Sequence, residues 1–432
     1  MPDRSKLWKN TFFQYVLQAA KYLFPFVTVA YLTRALGTDA YAVRAYVMAA
    51  MTFMLMFLEF GFTNYGTKTI AEAASLDDER SETSAITYCR LMLCGVGAIA
   101  LVPITLMLPI MAANPIYVAI AFVGTCFKAL LPDYVFRGEE DMGIITYRYV
   151  VSQAIVVALI FVLVKSPDDL LIVAALEALG SLVALVWSWE NVIRKRGISF
   201  MRVGFARLKA VMGESAIFFI STMATGILSS ITMLFIGYCI QDAAQISYWS
   251  VAMTAVVAVQ ALYSPIANSL YPHMVKRRDF AILKRLLLIG MPVVIIGTVA
   301  FACLGDVVML VLGGEEFVPG GYVIPMVAPI LLFSFPAVML GFPVLGAVGR
   351  IKKLTTSSVT ASLFQICGLF LLALTGLFTL QTVAALRCSC EAVLMLTRIY
   401  FVWRFWREEG GKPAPEIEDA DTTQVEQHEG AK

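Results

Sequence analysis

The sequence predicts an all-α polytopic membrane protein of about twelve transmembrane helices in two six-helix bundles. Three observations carry that prediction. Hydrophobic residues make up 59% of the 432 and charged residues only 15%, with a mean hydropathy of +0.78, far too apolar for a soluble globular chain. Apolar runs long enough to span a bilayer, which takes roughly 20 residues, lie at 12–32, 45–65, 87–111, 116–136, 144–164, 170–189, 216–239, 246–267, 286–311, 322–345, 356–378 and 381–402. With the N-terminus inside, 22 Lys and Arg residues fall at inner loops and span ends ahead of the C-terminal tail, against Arg34, Arg44 and Lys165 on the other side. Short cytoplasmic loops accumulate positive charge, so the expected topology is N-in and C-in.

The first span carries the clearest functional pattern. Asn10, Gln14, Gln18, Lys21 and Pro25 recur at spacings of four, four, three and four, which on a helix form one stripe. A Lys at mid-depth costs about 2.5–3.5 kcal/mol on insertion scales, so the stripe is expected to line a hydrophilic path. The alternative is that Lys21 snorkels to the interface along its own stem. Arg4, Lys6 and Lys9 ahead of an apolar run also suit a signal peptide, but the run is longer than a typical h-region and is interrupted by Lys21, which points to an uncleaved span.

Further charges lie in spans two to six. Glu59 sits near the inner end of span two, where it can neutralise a lysine or reach water. Lys128 lies deeper in span four than Asp133 and Arg137, and adds to a positive cavity. Asp133 and Arg137 stand at i,i+4 and read as an interfacial salt bridge. Glu177 has no obvious partner in sequence. The longest internal loop, about 190–215, divides the chain into residues 1–205 and 206–403, and its basic residues read as topogenic charges near anionic headgroups. Pro132 with Gly138, and Pro343 with Gly349, echo each other across the two halves, as in a parallel repeat.

The second half replaces charge with hydroxyls and amides. Span seven holds Ser221, Thr222, Thr225, Ser229, Ser230 and Thr232; span eight holds Gln260, Tyr263, Ser264 and Asn268. Gly, Ser and Thr also serve ordinary helix packing in lipid, so the large polar side chains Gln260, Tyr263 and Asn268 are the stronger cavity candidates. A short helix over 305–311, with Asp306, is expected after a span ending near Leu304. In the last span Arg387 and Glu391 are i,i+4, with Arg398 seven further on, all on one face. They read either as a self-neutralising structural pair or as a site for a coupling ion, because a carboxylate held by an arginine exchanges protons when that partner moves. The polar segment 404–432 is expected to be a disordered cytoplasmic tail.

Enzyme chemistry is not expected. The eight cysteines fall in or beside apolar runs, where they behave as small hydrophobes, and His273 and His428 are too few and too far apart for a metal site. No phosphate-cradling Gly-rich loop or Ser/His/Asp arrangement stands on an extramembrane segment. No cofactor, metal or nucleic-acid partner is therefore expected.

The chain resembles the Wzx-type polysaccharide flippases of the multidrug/oligosaccharidyl-lipid/polysaccharide (MOP) exporter superfamily. The likeness rests on Asn10, Gln18, Pro25 and Tyr31-Leu32-Thr33-Arg34-Ala35-Leu36-Gly37, then on Phe60-Gly61-Phe62 with Gly66-Thr67-Lys68. It continues through Pro132, Phe136-Arg137-Gly138-Glu139-Glu140, Tyr271-Pro272, Gly314-Glu315-Glu316-Phe317 and Gly349-Arg350. The resemblance implies two bundles facing a central cavity in the bacterial cytoplasmic (inner) membrane, and a polyprenyl-pyrophosphate-linked oligosaccharide turned between leaflets. It also implies a cationic cavity, a role open to Lys21 and Lys128, with H+ or Na+ as candidate coupling ion and polysaccharide assembly proteins as candidate partners. Two rivals stand beside it: a multidrug antiporter of the same superfamily, whose pattern places an acidic residue in the first span where this chain has Lys21, and a membrane scaffold for envelope assembly.

Overall fold

The computed structural model describes residues 4–278 and 280–409. The side chains of Arg4, Lys6, Ser221, Thr225, Ser229, Lys276 and Arg277 lie outside the described residues, as does segment 410–432 and with it most of the expected tail.

Among the described residues the fold is helical throughout. In chain order the helices are α1 (Arg4–Glu59), α2 (Phe62–Ala71), α3 (Leu76–Met107), α4 (Pro109–Ala113), α5 (Pro115–Ala129) and α6 (Asp133–Gly138). There follow α7 (Met142–Leu163), α8 (Leu170–Glu190), α9 (Phe205–Cys239), α10 (Ala243–Ala261), α11 (Tyr263–Arg277) and α12 (Phe280–Cys303). The last are α13 (Gly305–Gly313), α14 (Val323–Val327), α15 (Pro329–Leu340), α16 (Ile351–Thr375) and α17 (Leu380–Glu409). Nine helical segments among the described residues are long and apolar enough to cross a membrane. The protein is therefore a multi-pass helical membrane protein.

Interruptions inside the predicted runs have local causes. α1 contains two arms that meet at Gly37, whose φ of 67° breaks helical geometry. The arms run back alongside each other, because Lys21 to Phe26 on one and Ala45 to Thr52 on the other line the same cavity. An unbroken helix would hold Lys21 and Thr52 about 46 Å apart. Pro132, which cannot donate a backbone hydrogen bond, stands between α5 and α6. The predicted run 286–311 resolves into α12 and the short α13, as expected for 305–311. α17 continues to Glu409, past the predicted span end at 402; there Arg404 donates to Glu408 at 2.6 Å and holds that carboxyl below its usual range.

Packing is uneven along the membrane normal. α1 contacts α5, α7, α9 and α10, while α17 contacts α14, α15 and α16. One apolar core, from Leu17 through Phe122 to Val211, lies within the first half and its entry into α9; another, around Leu270, Met274 and Phe335, lies within the second. A third joins the halves, with Leu36, Tyr41 and Val173 from the first and Trp249, Phe317 and Leu331 from the second. The halves are thus knitted together at the Gly37 end.

Candidate functional site

Toward the N-terminal end of α1 the halves part around a cavity whose lining is mostly apolar in one chamber, with Phe26, Met48, Met233 and Trp249, and mixed in the other, its polar groups gathered around Lys21. One chamber, of about 480 Å³, is lined by Lys21, Tyr22 and Thr52 of α1, Ser230 of α9, Ser250 and Thr254 of α10, and Arg387 of α17. A second, of about 490 Å³, is lined by Gln14, Gln18 and Lys21, by Arg137 of α6, and by Ser264 and Asn268 of α11. Lys21 belongs to both chambers. Gln14, Gln18 and Lys21 of the first-span stripe line the cavity and are exposed there, whereas Asn10 donates to Glu140 O outside both chambers.

Charge on the first-half wall is predominantly positive. Lys21 lies within electrostatic reach of Arg137, Arg148, Asp133 and Glu59, and Glu59 also faces Arg90. Of these groups Lys21 and Arg137 line the chambers; Arg90 and Arg148 are buried behind them, and Arg148 grips Asp133 through both guanidinium ends, at 2.6 and 3.1 Å. The expected Asp133–Arg137 salt bridge is thus replaced by Asp133–Arg148, which leaves Arg137 on the cavity wall. Arg90, among the positive charges that the sequence places on the inner side, is 2% exposed. It donates to Leu131 O at 2.7 Å and Thr63 Oγ1 at 3.2 Å, and lies over the rings of Phe62 and Tyr134.

The second-half wall carries hydroxyls, an amide and one guarded arginine. Arg387 donates through Nη2 to Glu391 at 2.7 Å, so the i,i+4 pair forms, and both residues are buried. Arg387 Nη1 has no hydrogen-bond partner among the described residues, although Arg387 lines the chamber. Arg398, on the same face, turns to Ser357, Ser358 and the Ala337 carbonyl.

Three sequence candidates lie elsewhere. Lys128 is half-buried on α5 and lines neither chamber. Tyr263 is buried, donates to Leu331 O at 3.3 Å, and packs edge-on against Phe335. Gln260 is half-buried on α10, just beyond the cavity-lining Val257 and Ala258. Sequence reading missed Arg137, Thr52, Ser250 and Thr254. For the last two, their i,i+4 spacing on α10 beside Trp249 is a usable signal. Glu177, which had no partner in sequence, binds Arg44 at 2.7 Å.

At the Gly37 end the path is shut. Thr33 Oγ1 donates to Leu312 O at 2.8 Å, and Arg34 Nη2 donates to Leu310 O and Val311 O at 2.9 and 2.7 Å. These carbonyls belong to the last turn of α13, where Leu310 O also accepts from Gly314 N–H at 3.0 Å. The backbone N–H and hydroxyl of Thr38 both donate to Glu316 Oε1, at 2.9 and 2.8 Å, and Ser247 Oγ donates to Thr38 O at 2.6 Å. Beneath them Phe317 packs edge-on between Tyr41 and Tyr248.

A helical membrane protein with a polar cavity between its halves, open at one end and sealed at the other, has the architecture of a carrier rather than of an enzyme. Solved structures of that architecture are similar throughout. One described as "Lipid II flippase MurJ, inward closed conformation" matches with a TM-score of 0.73 at 13% identity, over 91% of this chain and 87% of that one. One described as an inward-facing multidrug resistance MATE family transporter of the MOP superfamily matches at 0.69 and 14%, over 90% and 94%. The fold is that of MOP-superfamily transporters. The chain belongs to the family described as "Polysaccharide biosynthesis protein", which it matches over residues 7–278. Its curated relatives include the "Putative O-antigen transporter" of Escherichia coli (strain K12), 26% identical over 63% of this chain and 66% of that protein. The protein of the same name from Shigella dysenteriae is 23% identical over 72% and 78%. The chain thus spans just under two thirds of the E. coli relative.

Proposed function

We propose that this protein is a flippase that carries a polyprenyl-pyrophosphate-linked oligosaccharide from the inner to the outer leaflet of the bacterial cytoplasmic membrane, for synthesis of a cell-surface polysaccharide. The observation that carries this reading is the cavity around Lys21. Its first-half wall has an excess of cations, suited to a pyrophosphate, and its second-half wall offers Ser250, Thr254, Ser264 and Asn268, suited to sugar hydroxyls. A charge-assisted hydrogen bond is roughly twice as strong as a neutral one, so the phosphates would anchor the ligand and the sugars would follow. Transport is by alternating access, with residues 1–205 and 206–403 rocking as two bundles around the bound headgroup, N-terminus and C-terminus both inside. The tail stays at the depth of the bilayer throughout, through a lateral opening toward membrane lipid.

Arg387 and Glu391 are the candidate coupling site. An anion that takes the free Nη1 of Arg387 competes with Glu391 for the same guanidinium, and a released carboxylate is a proton or Na+ acceptor. The competing multidrug reading draws on the likeness to the MATE fold, but a cavity rich in cations repels cationic drugs. The test is reconstitution of the full chain in proteoliposomes, with two substrates followed in parallel. The reading expects translocation of a fluorescent polyprenyl-pyrophosphate oligosaccharide and no efflux of a lipophilic cationic dye; dye efflux without oligosaccharide translocation would contradict it.

A further inference from the structure

A second cavity, of about 730 Å³, lies on the opposite side of α11 from the polar one. It runs along one face of α12 from Ile282 through Gly290 and Gly297 to Phe301, and its other walls are Tyr263 and Ile266 of α11 and residues of α15. Ile282, Ile266 and Val293 on its rim are exposed, so it opens to the bilayer. Apolar surface is ordinary there. A concave channel is not, and this one exists because two glycines on α12 withhold side chains from it: a Cβ at Gly290 would strike the ring of Phe335, whereas Gly297 has open space around it.

Length identifies the occupant. Ile282 and Phe301 are about 28 Å apart at 1.5 Å per residue, close to the whole hydrocarbon thickness of about 30 Å. The acyl chain of a phospholipid fills only its own leaflet, about half of that. A channel that crosses both leaflets suits a chain much longer than a fatty acid. Position agrees with length. Ser264 and Asn268 on one side of α11 line the polar chamber, while Tyr263 and Ile266 on the other side line the channel. A lipid whose headgroup enters between α1 and α11 therefore leaves its tail where the channel begins.

We propose that the α12 channel is the binding site for the isoprenoid tail of the lipid-linked substrate. The inference rests on the substrate class proposed above and adds a site for its apolar part. A polyprenyl substrate held at both ends is registered in the bilayer, and its tail tracks α12 while its headgroup changes sides.

The experiment uses the full chain in nanodiscs with a long-chain polyprenyl pyrophosphate bearing a diazirine at the far end of its tail. Photolabelled peptides are mapped by mass spectrometry, and a phosphatidylglycerol with a diazirine at its chain end serves as the second probe. Labelling on α12 by the polyprenyl probe, competed by unlabelled long-chain polyprenyl pyrophosphate but not by unlabelled phosphatidylglycerol, is the expected result. The variant Gly297→Phe, which fills open space, is expected to lose that labelling and to keep binding of the short prenyl pyrophosphate in the polar cavity. Gly297→Ala is expected to keep both. Labelling of α12 by phosphatidylglycerol that the polyprenyl probe does not displace would overturn the proposal and make the channel a slot for ordinary lipid, a role that Arg285 on its wall also suits. Polyprenyl labelling that maps away from α12 would overturn it while leaving the flippase reading intact. Absence of polyprenyl binding anywhere on monodisperse protein would overturn both.

Discussion

The two ends of α1's first arm lie on one helix and meet opposite conditions. Near its start Gln14, Gln18 and Lys21 stand exposed in a polar chamber. Near its end Leu32, Thr33 and Leu36 are at most 1% exposed, wedged against the second half. What separates them is the kind of contact each can make. At the open end the facing surfaces are polar and wide apart, so a ligand must complete them. At the closed end the halves complete each other, through side-chain donors on α13 carbonyls, one carboxylate, and a Phe317 wedge. Water can replace the hydrogen bonds of this seal, but the apolar core beneath them, with Leu36, Tyr41, Trp249 and Phe317, must also part for a transport cycle to open it.

Substitutions along this gradient should therefore differ in kind. Phe317→Ala should be the most damaging to stability, removing a side chain with no exposure from between Tyr41 and Tyr248, at a cost of about 3–5 kcal/mol. Thermal unfolding in detergent would register it. Gly37→Ala should cost about 1–3 kcal/mol, because a φ of 67° with a ψ of −176° is backbone open essentially to glycine alone; the new Cβ would also sit 3.0 Å from Glu316 Oε2. Glu316→Ala removes both bonds to Thr38, an exposed pair of contacts worth about 0.5–1.5 kcal/mol. Its sharper readout is access: a cysteine at Ser250 should react faster with a polar thiol reagent applied from the Gly37 side than in the parent. An unchanged rate would mean that Glu316 is not part of the seal. Gln18→Ala, at the open end, should alter unfolding by no more than about 0.5 kcal/mol while weakening substrate binding.

Much of this was legible in the sequence, and the omissions have physical reasons. The helices follow from apolar runs; of the residues at 4-4-3-4 spacing, Gln14, Gln18, Lys21 and Pro25 line the two chambers while Asn10 bonds the Glu140 carbonyl outside them. Tyr263 lines the apolar channel beside α12 and not the polar chambers, its hydroxyl spent on Leu331 O. Asp133 was paired with Arg137 by spacing on a helix, but the break at Pro132 leaves its carboxylate beside Arg148 of α7. Lys128 sits where α5 packs closely on α8, with Gly124 against Ala178, a contact between distant segments that periodicity does not encode. Arg44 with Glu177 is the same case. The motif Leu32-Thr33-Arg34-Ala35-Leu36-Gly37 was read as a mark of resemblance; the structure gives it the closed end.

Lys21 is the point where both chambers and the charge argument meet. The most direct measurement is translocation of a fluorescent polyprenyl-pyrophosphate oligosaccharide in proteoliposomes, comparing the parent with Lys21→Ala and Lys21→Arg. The account predicts flipping by the parent, its loss in Lys21→Ala, and at least partial retention in Lys21→Arg, since the cation is kept. Undiminished flipping by a folded Lys21→Ala variant would contradict the claim that this cavity holds the pyrophosphate through Lys21.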